Sequence, residues 1–128
     1  GPVKSWESSR DAGRKATLAA LDEIRERELT GLIYIGASGA FAGRRVLWEQ
    51  NIRVPEEISI LAHGDDAMLA DSTPAITATG TDFTAMSRDA LDIIAGNLPR
   101  QPEKRYPAIL NERESVTIPQ ASQKGTCL

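Results

Sequence analysis

The sequence predicts an α/β fold, a three-layer parallel sheet with flanking helices. Segments with helical spacing alternate along the chain with short apolar runs. This alternation is typical of parallel sheets with right-handed crossovers. The apolar runs Leu32–Ile35 and Ile58–Ala62 are continuous rather than alternating, which indicates strands that are covered on both faces.

The first helix is predicted over Ser9–Leu29, because apolar residues recur there at spacings of three and four. The charged residues of this segment are expected on the opposite face, in contact with solvent. The inner stripe is predicted to comprise Ala16, Thr17, Ala20, Leu21 and Ile24.

Helical spacing resumes after the first strand, in the segment GAFAGRRVLWEQN. The side chains predicted to point inward from this second helix are Phe41, Val46, Leu47 and Trp48.

The second half of the chain alternates in the same way. The segment from Gly64 to Pro74 is rich in turn-forming residues and is expected to be a loop. A third strand is predicted within AITATG. A further helix follows over residues 82–98, with Asp82 as its N-cap and a Gly-Asn pair near its end. YPAIL and ESVTI are predicted as two last short strands.

The composition limits the class of protein. A chain of 128 residues with 41% hydrophobic and 26% charged residues is typical of one globular domain. The net charge of −3 argues against binding to nucleic acid by this chain alone, because no basic stripe is present. Cys127 is the single cysteine, so an intrachain disulfide is excluded and a cytoplasmic location is expected. No apolar run is long enough to predict a membrane span.

The glycine-rich segment after Leu32–Ile35 matches no phosphate-binding motif. In open α/β sheets ligands bind at the carboxyl ends of the strands, so the turns after Ile35 and Ala62 are the predicted binding region. A dinucleotide fingerprint starting at Gly36 would need glycine where Ser38 and Phe41 stand, and the lysine of a Walker loop is missing.

A nucleophile elbow is a second alternative for this turn. GASGA places Ser38 between a strand and a helix, and His63, the only histidine, follows a neighbouring strand with Asp65 and Asp66 close behind. The order Ser, His, acid differs from that of α/β hydrolases, so a hydrolase is the weaker interpretation. The alternative is that Ser38 caps the helix and His63 is a partly buried strand-end residue. Adjacent carboxylates point to opposite sides of an extended chain, and the lone histidine and the terminal cysteine do not supply further ligands, so no metal site is expected. No cofactor is expected either.

Five segments occur in order along the chain, and they are WESSRDAGRKA, LIYIGASGAFAGRRVL, NIRVPEEISILAHGDD, TPAITATGTDFTAMSRDALDII and YPAILNERESV. In their order and spacing these segments resemble the C-terminal half of the effector-binding domain of LacI/GalR-family transcriptional regulators. The resemblance runs from Trp6 to Val116 and implies one lobe of a periplasmic-binding-protein-like (type I) fold. It implies a ligand-sensing fragment of a bacterial regulator rather than an enzyme, with a sugar or a similar small molecule as effector.

The resemblance also implies the effector-binding residues. Trp6 matches an aromatic residue that lines the effector pocket. Ala37 and Ser38 stand where the family has Asn-Asp. The first acid of the family's Phe-Asp-Asp motif falls on Gly64 and the second on Asp65, which is expected to accept a ligand hydroxyl. A one-residue slip would instead use Asp65 and Asp66.

The domain organisation follows from the same resemblance. Residues 3–120 are expected to form the C-terminal lobe, with residues 1–2 a possible tag remnant and residues 121–128 a flexible tail. The helix within 81–98 would pack on the N-terminal lobe, which this chain lacks. Its uncovered face predicts repacking or a homodimer in which the 82–98 helix is swapped. DNA would be bound only through a headpiece that the chain lacks. A transporter's solute-binding protein with the same fold is the main alternative.

Overall fold

Four strands form one sheet in the order in which they occur along the chain. The computed structural model describes residues 8–100 and 103–119. β1, β2 and β3 are parallel, and β4 is antiparallel to β3, so the predicted parallel α/β arrangement is confirmed. The elements are α1 (Ser9–Glu26), β1 (Gly31–Ile35), α2 (Ala37–Glu49), β2 (Ser59–His63), α3 (Ala67–Ala70), β3 (Thr77–Thr81), α4 (Phe83–Ile94) and β4 (Ala108–Asn111).

Helices α1 and α2 pack together over one face of the sheet. Ser8 begins α1, where its hydroxyl accepts a hydrogen bond from the Asp11 amide at 3.1 Å. Of the predicted inner stripe of α1, Thr17, Leu21 and Ile24 are buried, whereas Ala20 is half-buried and Ala16 is exposed. The stripe is therefore narrower than predicted.

Glycines allow α2 to approach α1 on one side and Tyr34 of β1 on another. A Cβ on Gly13 would lie only 2.5 Å from the Cα of Gly39, so the two backbones are in direct contact at this point. Gly43 of α2 leaves room for the ring of Tyr34, which a Cβ at that position would overlap. The Tyr34 hydroxyl lies 2.9 Å from that of Thr17, and burial raises the pKa of Tyr34.

The core lies between these helices and the sheet. Val46 and Leu47 are fully buried as predicted, and Phe41 is half-buried against the same cluster. The prediction that Trp48 points inward is wrong, since 62% of this residue is exposed. Successive side chains of an α-helix are rotated by about 100° about its axis, so Trp48 points away from the core that Leu47 enters. The Trp48 indole lies under the guanidinium of Arg45.

Strand β1 is not covered on both faces, contrary to the prediction. Leu32 and Tyr34 pack against the core cluster, but Ile33 and Ile35 are 72% and 82% exposed. The continuous apolar run correctly indicated a strand. Among the described residues, however, nothing packs over its second face or pairs with its outer edge.

The C-terminal part of the fold differs from the prediction in two places. The segment expected to be a loop contains the short helix α3, which Asp66 caps. The ESVTI segment is not a strand, because Ser115 bridges two strands instead of extending a ladder. The Ser115 hydroxyl donates to the Ile60 carbonyl at 2.7 Å and accepts from the Thr77 amide at 2.8 Å. Asp82 caps α4 as predicted, accepting from the Ala85 amide at 2.8 Å.

We expect Gly13→Ala to lower the free energy of unfolding by about 1–3 kcal/mol, because the new methyl group forces α1 and α2 apart. Alanine normally stabilises a helix relative to glycine, so a loss of stability would be specific to this contact. Urea unfolding measures the change. The control is Gly31→Ala, whose Cβ would meet nothing closer than the Ser59 carbonyl at 3.9 Å. Equal stability of the Gly13→Ala and parent proteins would contradict the packing described here.

Candidate functional site

The turns after β1 and β2 meet at the carboxyl edge of the sheet, as predicted. Gly36 and Gly64 follow the two strands with φ values of +111° and +103°, a conformation that favours glycine. The Gly36 amide donates to the His63 carbonyl at 2.8 Å, and the Gly64 amide donates to the Thr79 carbonyl at 2.7 Å. A Cβ at Gly64 would lie 3.8 Å from the Ala37 nitrogen, so the two turns are in contact.

Ala37 and Ser38 form the first turn of α2 at this edge, and both are half-buried. The expectation that Ser38 caps the helix is wrong. Gly36 is the N-cap and has no side chain with which to satisfy the first amides. Within the described residues the Ser38 hydroxyl has no hydrogen-bond partner. The edge therefore presents free backbone donors, the positive end of the α2 dipole and one free hydroxyl.

Asp65 is held by an ion pair that sequence reasoning missed. Both nitrogens of the Arg113 guanidinium fork donate to its carboxylate, at 2.9 and 2.8 Å. The Asn111 amide donates to Oδ2 at 2.7 Å, and the Asp66 backbone amide donates to Oδ1 at 2.9 Å. The Arg113 guanidinium is the main reason why the pKa of Asp65 lies below its ordinary value, and Asp65 in turn raises the pKa of Arg113.

These four donors fill the four lone-pair positions of the Asp65 carboxylate. The carboxylate is consequently not free to accept a ligand hydroxyl unless one of its present donors is displaced. Arg113 also donates to the Ile76 carbonyl at 2.7 Å, so the guanidinium is fixed from two sides. The available signal in the sequence was the NERES segment, which supplies both Asn111 and Arg113.

The residues of the hydrolase alternative do not assemble into a triad. His63 is exposed, and its Nδ1 lies 3.0 Å from the Thr79 hydroxyl. Asp65 is occupied by Arg113, and Asp66 accepts from the Met68 amide at the start of α3. No metal site appears either, since residues 8–100 and 103–119 contain no group of three or more His, Cys, Asp or Glu side chains close enough to hold an ion.

Trp6, the fourth predicted effector contact, lies outside the described residues, and its role stays a prediction. The other indole is at the opposite edge of the sheet. There, a cavity of about 670 Å³ is lined by Trp48, Ile52, Thr73 and Pro74 among others. This cavity is separate from the predicted binding edge, because its residues lie in the C-terminal turns of α2, follow α2 or precede β3.

A parallel sheet whose polar groups gather at its carboxyl edge is the architecture of a small-molecule-binding α/β domain. Comparison with known families agrees. The family model of the periplasmic binding protein-like domain matches residues 2–116. The chain belongs to this family.

Several solved structures with a similar fold are transcriptional regulators. A LacI family regulator from Bifidobacterium animalis subsp. lactis is 32% identical, with a TM-score of 0.72 over 86% of this chain and 41% of that chain. A PurR family regulator from Vibrio parahaemolyticus is 21% identical, with a TM-score of 0.74 over 88% of this chain and 42% of that chain. A LacI family regulator from Enterococcus faecium with bound ribose is 24% identical, with a TM-score of 0.70 over 86% of this chain and 41% of that chain.

The chain thus spans about two fifths of the length of these three relatives. A search of curated proteins found no match. In the described part of the chain, no helix combines the length and apolar character needed to cross a membrane.

We expect Asp65→Asn to lower the free energy of unfolding by about 1–3 kcal/mol at neutral pH, because Arg113 loses its charged partner. The folded-state pKa of Asp65 is lowered, so its stabilisation is present above the unfolded pKa of about 3.9 and is lost as the pH falls through the folded pKa. The difference between parent and variant should therefore shrink below about pH 4.

Urea unfolding between pH 2 and 7 measures this difference. The matched control is Asp71→Asn, which changes an exposed aspartate at the end of α3. A stability difference between parent and Asp65→Asn that stays constant down to pH 2 would show that the ion pair does not provide this stabilisation.

Proposed function

We propose that the chain is part of the ligand-sensing domain of a bacterial LacI-type transcriptional regulator. The observation that carries this proposal is the family match over residues 2–116, combined with 32% identity to a LacI family regulator. The arrangement of the carboxyl edge supports it, because the edge offers hydrogen-bonding groups without an assembled catalytic triad.

The effector would bind at the carboxyl edge. Ser38 supplies a hydroxyl there and Ala37 a backbone amide at the start of α2, while Trp6 adds an aromatic surface. Asp65 acts mainly by holding Arg113 and Asn111 in place. Regulators with this fold include one solved with ribose and one solved as a cellobiose complex. A sugar or a similar polar small molecule is accordingly the effector class that we propose.

The effector would act by shifting the equilibrium between two relative orientations of the lobes. A ligand that contacts two lobes favours whichever relative orientation it binds more tightly, and this preference is transmitted to a DNA-binding segment. This chain would contribute one side of that binding site. Alone it should bind effector weakly, because binding energy from the other side is missing, and its charge of −3 offers no basis for DNA binding.

Helix α4 needs a partner in this scheme. None of its residues is buried, and its apolar side chains Phe83, Leu91, Ile93 and Ile94 are exposed. An apolar helix face of this kind marks an interaction surface. We propose that a second lobe covers this face in the longer protein, and that in the isolated chain a second copy covers it by exchange of α4.

In a protein that carries both lobes, we expect Ser38→Ala to weaken effector binding about 3- to 15-fold, the effect of losing one hydrogen bond. Isothermal calorimetry with ribose and other monosaccharides, preceded by a thermal-shift screen, measures this change. Ser87→Ala on α4 is the control and should leave the affinity unchanged. An effector affinity that is unaffected by Ser38→Ala would remove Ser38 from the site. Esterase activity that depends on Ser38 would instead favour the hydrolase alternative.

For the isolated 128-residue chain, we expect size-exclusion chromatography with light scattering to show a dimer. Replacing both Leu91 and Ile94 by aspartate should give a monomer, because burying the new charges in a dimer interface is unfavourable. Arg88→Glu, a charge change on the same helix, should leave the dimer intact. A parent chain that is monomeric at all concentrations, with α4 amides open to hydrogen exchange, would exclude the swapped dimer.

A further inference from the structure

Basic side chains of α1 and α2 share one surface because of their helical spacing. In α1, Arg10 and Arg14 are four residues apart. In α2, Phe41, Arg45 and Glu49 follow one another at the same spacing. Residues four apart lie on one face of a helix. Since the backbones of α1 and α2 are in contact, the two rows of side chains lie next to each other.

A cavity of about 270 Å³ lies between these rows. Four arginine side chains line it, and we call it the arginine cavity. They are Arg10 and Arg14 from α1 and Arg44 and Arg45 from α2. The Phe41 ring forms an apolar part of the wall, and the guanidinium carbon of Arg10 lies 5.9 Å from the centre of this ring.

The charge of the arginine cavity is opposite to that of the chain. The net charge of the chain is −3, yet four of its 15 lysine and arginine residues line this one cavity. Two carboxylates oppose them. Asp11 lines the cavity, and Glu49 pairs with Arg14 at 2.9 Å and with Arg45 at 3.1 Å. Two carboxylates against four guanidinium groups leave two positive charges, which is the charge that a dianion neutralises.

Two of the four arginines have no carboxylate partner within the described residues, namely Arg10 and Arg44. Arg10 is exposed, and its contact there is with the Phe41 ring. Arg44 is half-buried and donates from Nη1 to the Thr73 carbonyl. Its buried Nε has no hydrogen-bond partner in this part of the chain. Burial lowers the pKa of Arg44, and the charge of Arg45 lowers it further.

Phosphate is the anion that these groups match best. The planar guanidinium fork donates two parallel hydrogen bonds to phosphate oxygens. The enclosed volume accommodates one phosphate group with a small organic substituent, for which the Phe41 ring offers an apolar contact. An extended polyanion such as nucleic acid fits less well, because binding it requires a basic stripe rather than one small cavity on an acidic chain.

We propose that the arginine cavity binds a phosphate dianion, either inorganic phosphate or the phosphate group of a small monoester. Arg10 and Arg44 are its principal contacts, because neither is neutralised by a carboxylate. Arg14 and Arg45, which Glu49 holds together, supply further donors. The arginine cavity has no residue in common with the proposed effector site at the carboxyl edge. It therefore gives the domain a second, separate ligand site.

Nuclear magnetic resonance tests this proposal on the 128-residue chain, because ¹⁵N spectra observe the Nε–H groups of arginine directly. Titration with inorganic phosphate should shift the Arg10 and Arg44 signals and should saturate by about 10 mM. Chloride at the same ionic strength should not shift them. Glycerol 3-phosphate is the second probe. Tighter binding of this ester would identify a monoester as the ligand, and weaker binding would identify inorganic phosphate.

Substitutions that remove one positive charge provide the second measurement. Arg10→Gln should weaken phosphate binding about 10-fold or more, because charge-assisted hydrogen bonds are lost. Arg10 is exposed, so this variant keeps the fold, and Arg44→Gln should weaken binding at least as much. The matched control is Arg27→Gln, which removes the same charge at the far end of α1. It should change the affinity less than about twofold, because salt screens a charge at that distance.

Three results would overturn the proposal. The first is the absence of a saturable shift of the Arg10 and Arg44 signals up to about 10 mM phosphate. The second is equal weakening by Arg10→Gln and Arg27→Gln, which would show a general effect of charge. The third is displacement of phosphate by a DNA oligonucleotide at a lower concentration than glycerol 3-phosphate requires. Ser38 enters none of these measurements, so their outcome is independent of the ligand-sensing proposal.

Discussion

The ion pair between Asp65 and Arg113 fixes the C-terminal segment of the chain against the carboxyl edge of the sheet. It joins residues 48 positions apart and sits beside the one antiparallel pairing, in which Asn111 is opposite Ala78. Arg113 also bonds to Ile76, and Ser115 two residues later bridges β2 and β3. Together these contacts hold β4, which comes last in the chain, beside β3, and they complete the four-stranded sheet.

The same ion pair limits what the edge can recognise. Its carboxylate has no acceptor position to spare, and glycine stands at Gly64 where the family resemblance expects an acid. Ala37 and Ser38 replace a further Asn-Asp pair. If the proposed effector site lies at this edge, side-chain acceptors for ligand hydroxyls are scarce there, and the backbone amides at the start of α2 become more important. Such donors favour a ligand with carbonyl, hydroxyl or anionic oxygens directed at the helix N-terminus.

Two apolar surfaces are uncovered in the described part of the chain. β1 exposes its outer edge and two isoleucines, and α4 exposes a whole apolar face. Parallel sheets are normally covered on both faces, and apolar helix faces are normally buried. Both surfaces are uncovered in a chain that spans about two fifths of the length of the relatives it matches.

Hydrophobic spacing alone was enough to predict α1, α2, α4 and the parallel strands. These predictions rest on local periodicity, and the burial of Val46 and Leu47 at the predicted inward positions is an example. Motif spacing was likewise enough to exclude a phosphate loop, and order along the chain brought out the family resemblance. The exposure of Trp48 and the free N-terminus of α2 have local causes, the rotation of one residue past Leu47 and a glycine at the N-cap. The loss of the ESVTI strand could not be predicted from local sequence, because Ser115 bonds to Ile60 and Thr77 from distant parts of the chain.

Asp65 shows most clearly the difference between what local sequence determines and what distant parts of the chain decide. The sequence by itself determined that this carboxylate follows a strand at the carboxyl edge of the sheet, because strand and turn are encoded locally. Only the tertiary structure decided that the carboxylate is already saturated, because its partners Asn111 and Arg113 arrive from more than forty residues away. Nor could periodicity show that β1 is an uncovered edge, since an apolar run has the same pattern whether or not its neighbour is present.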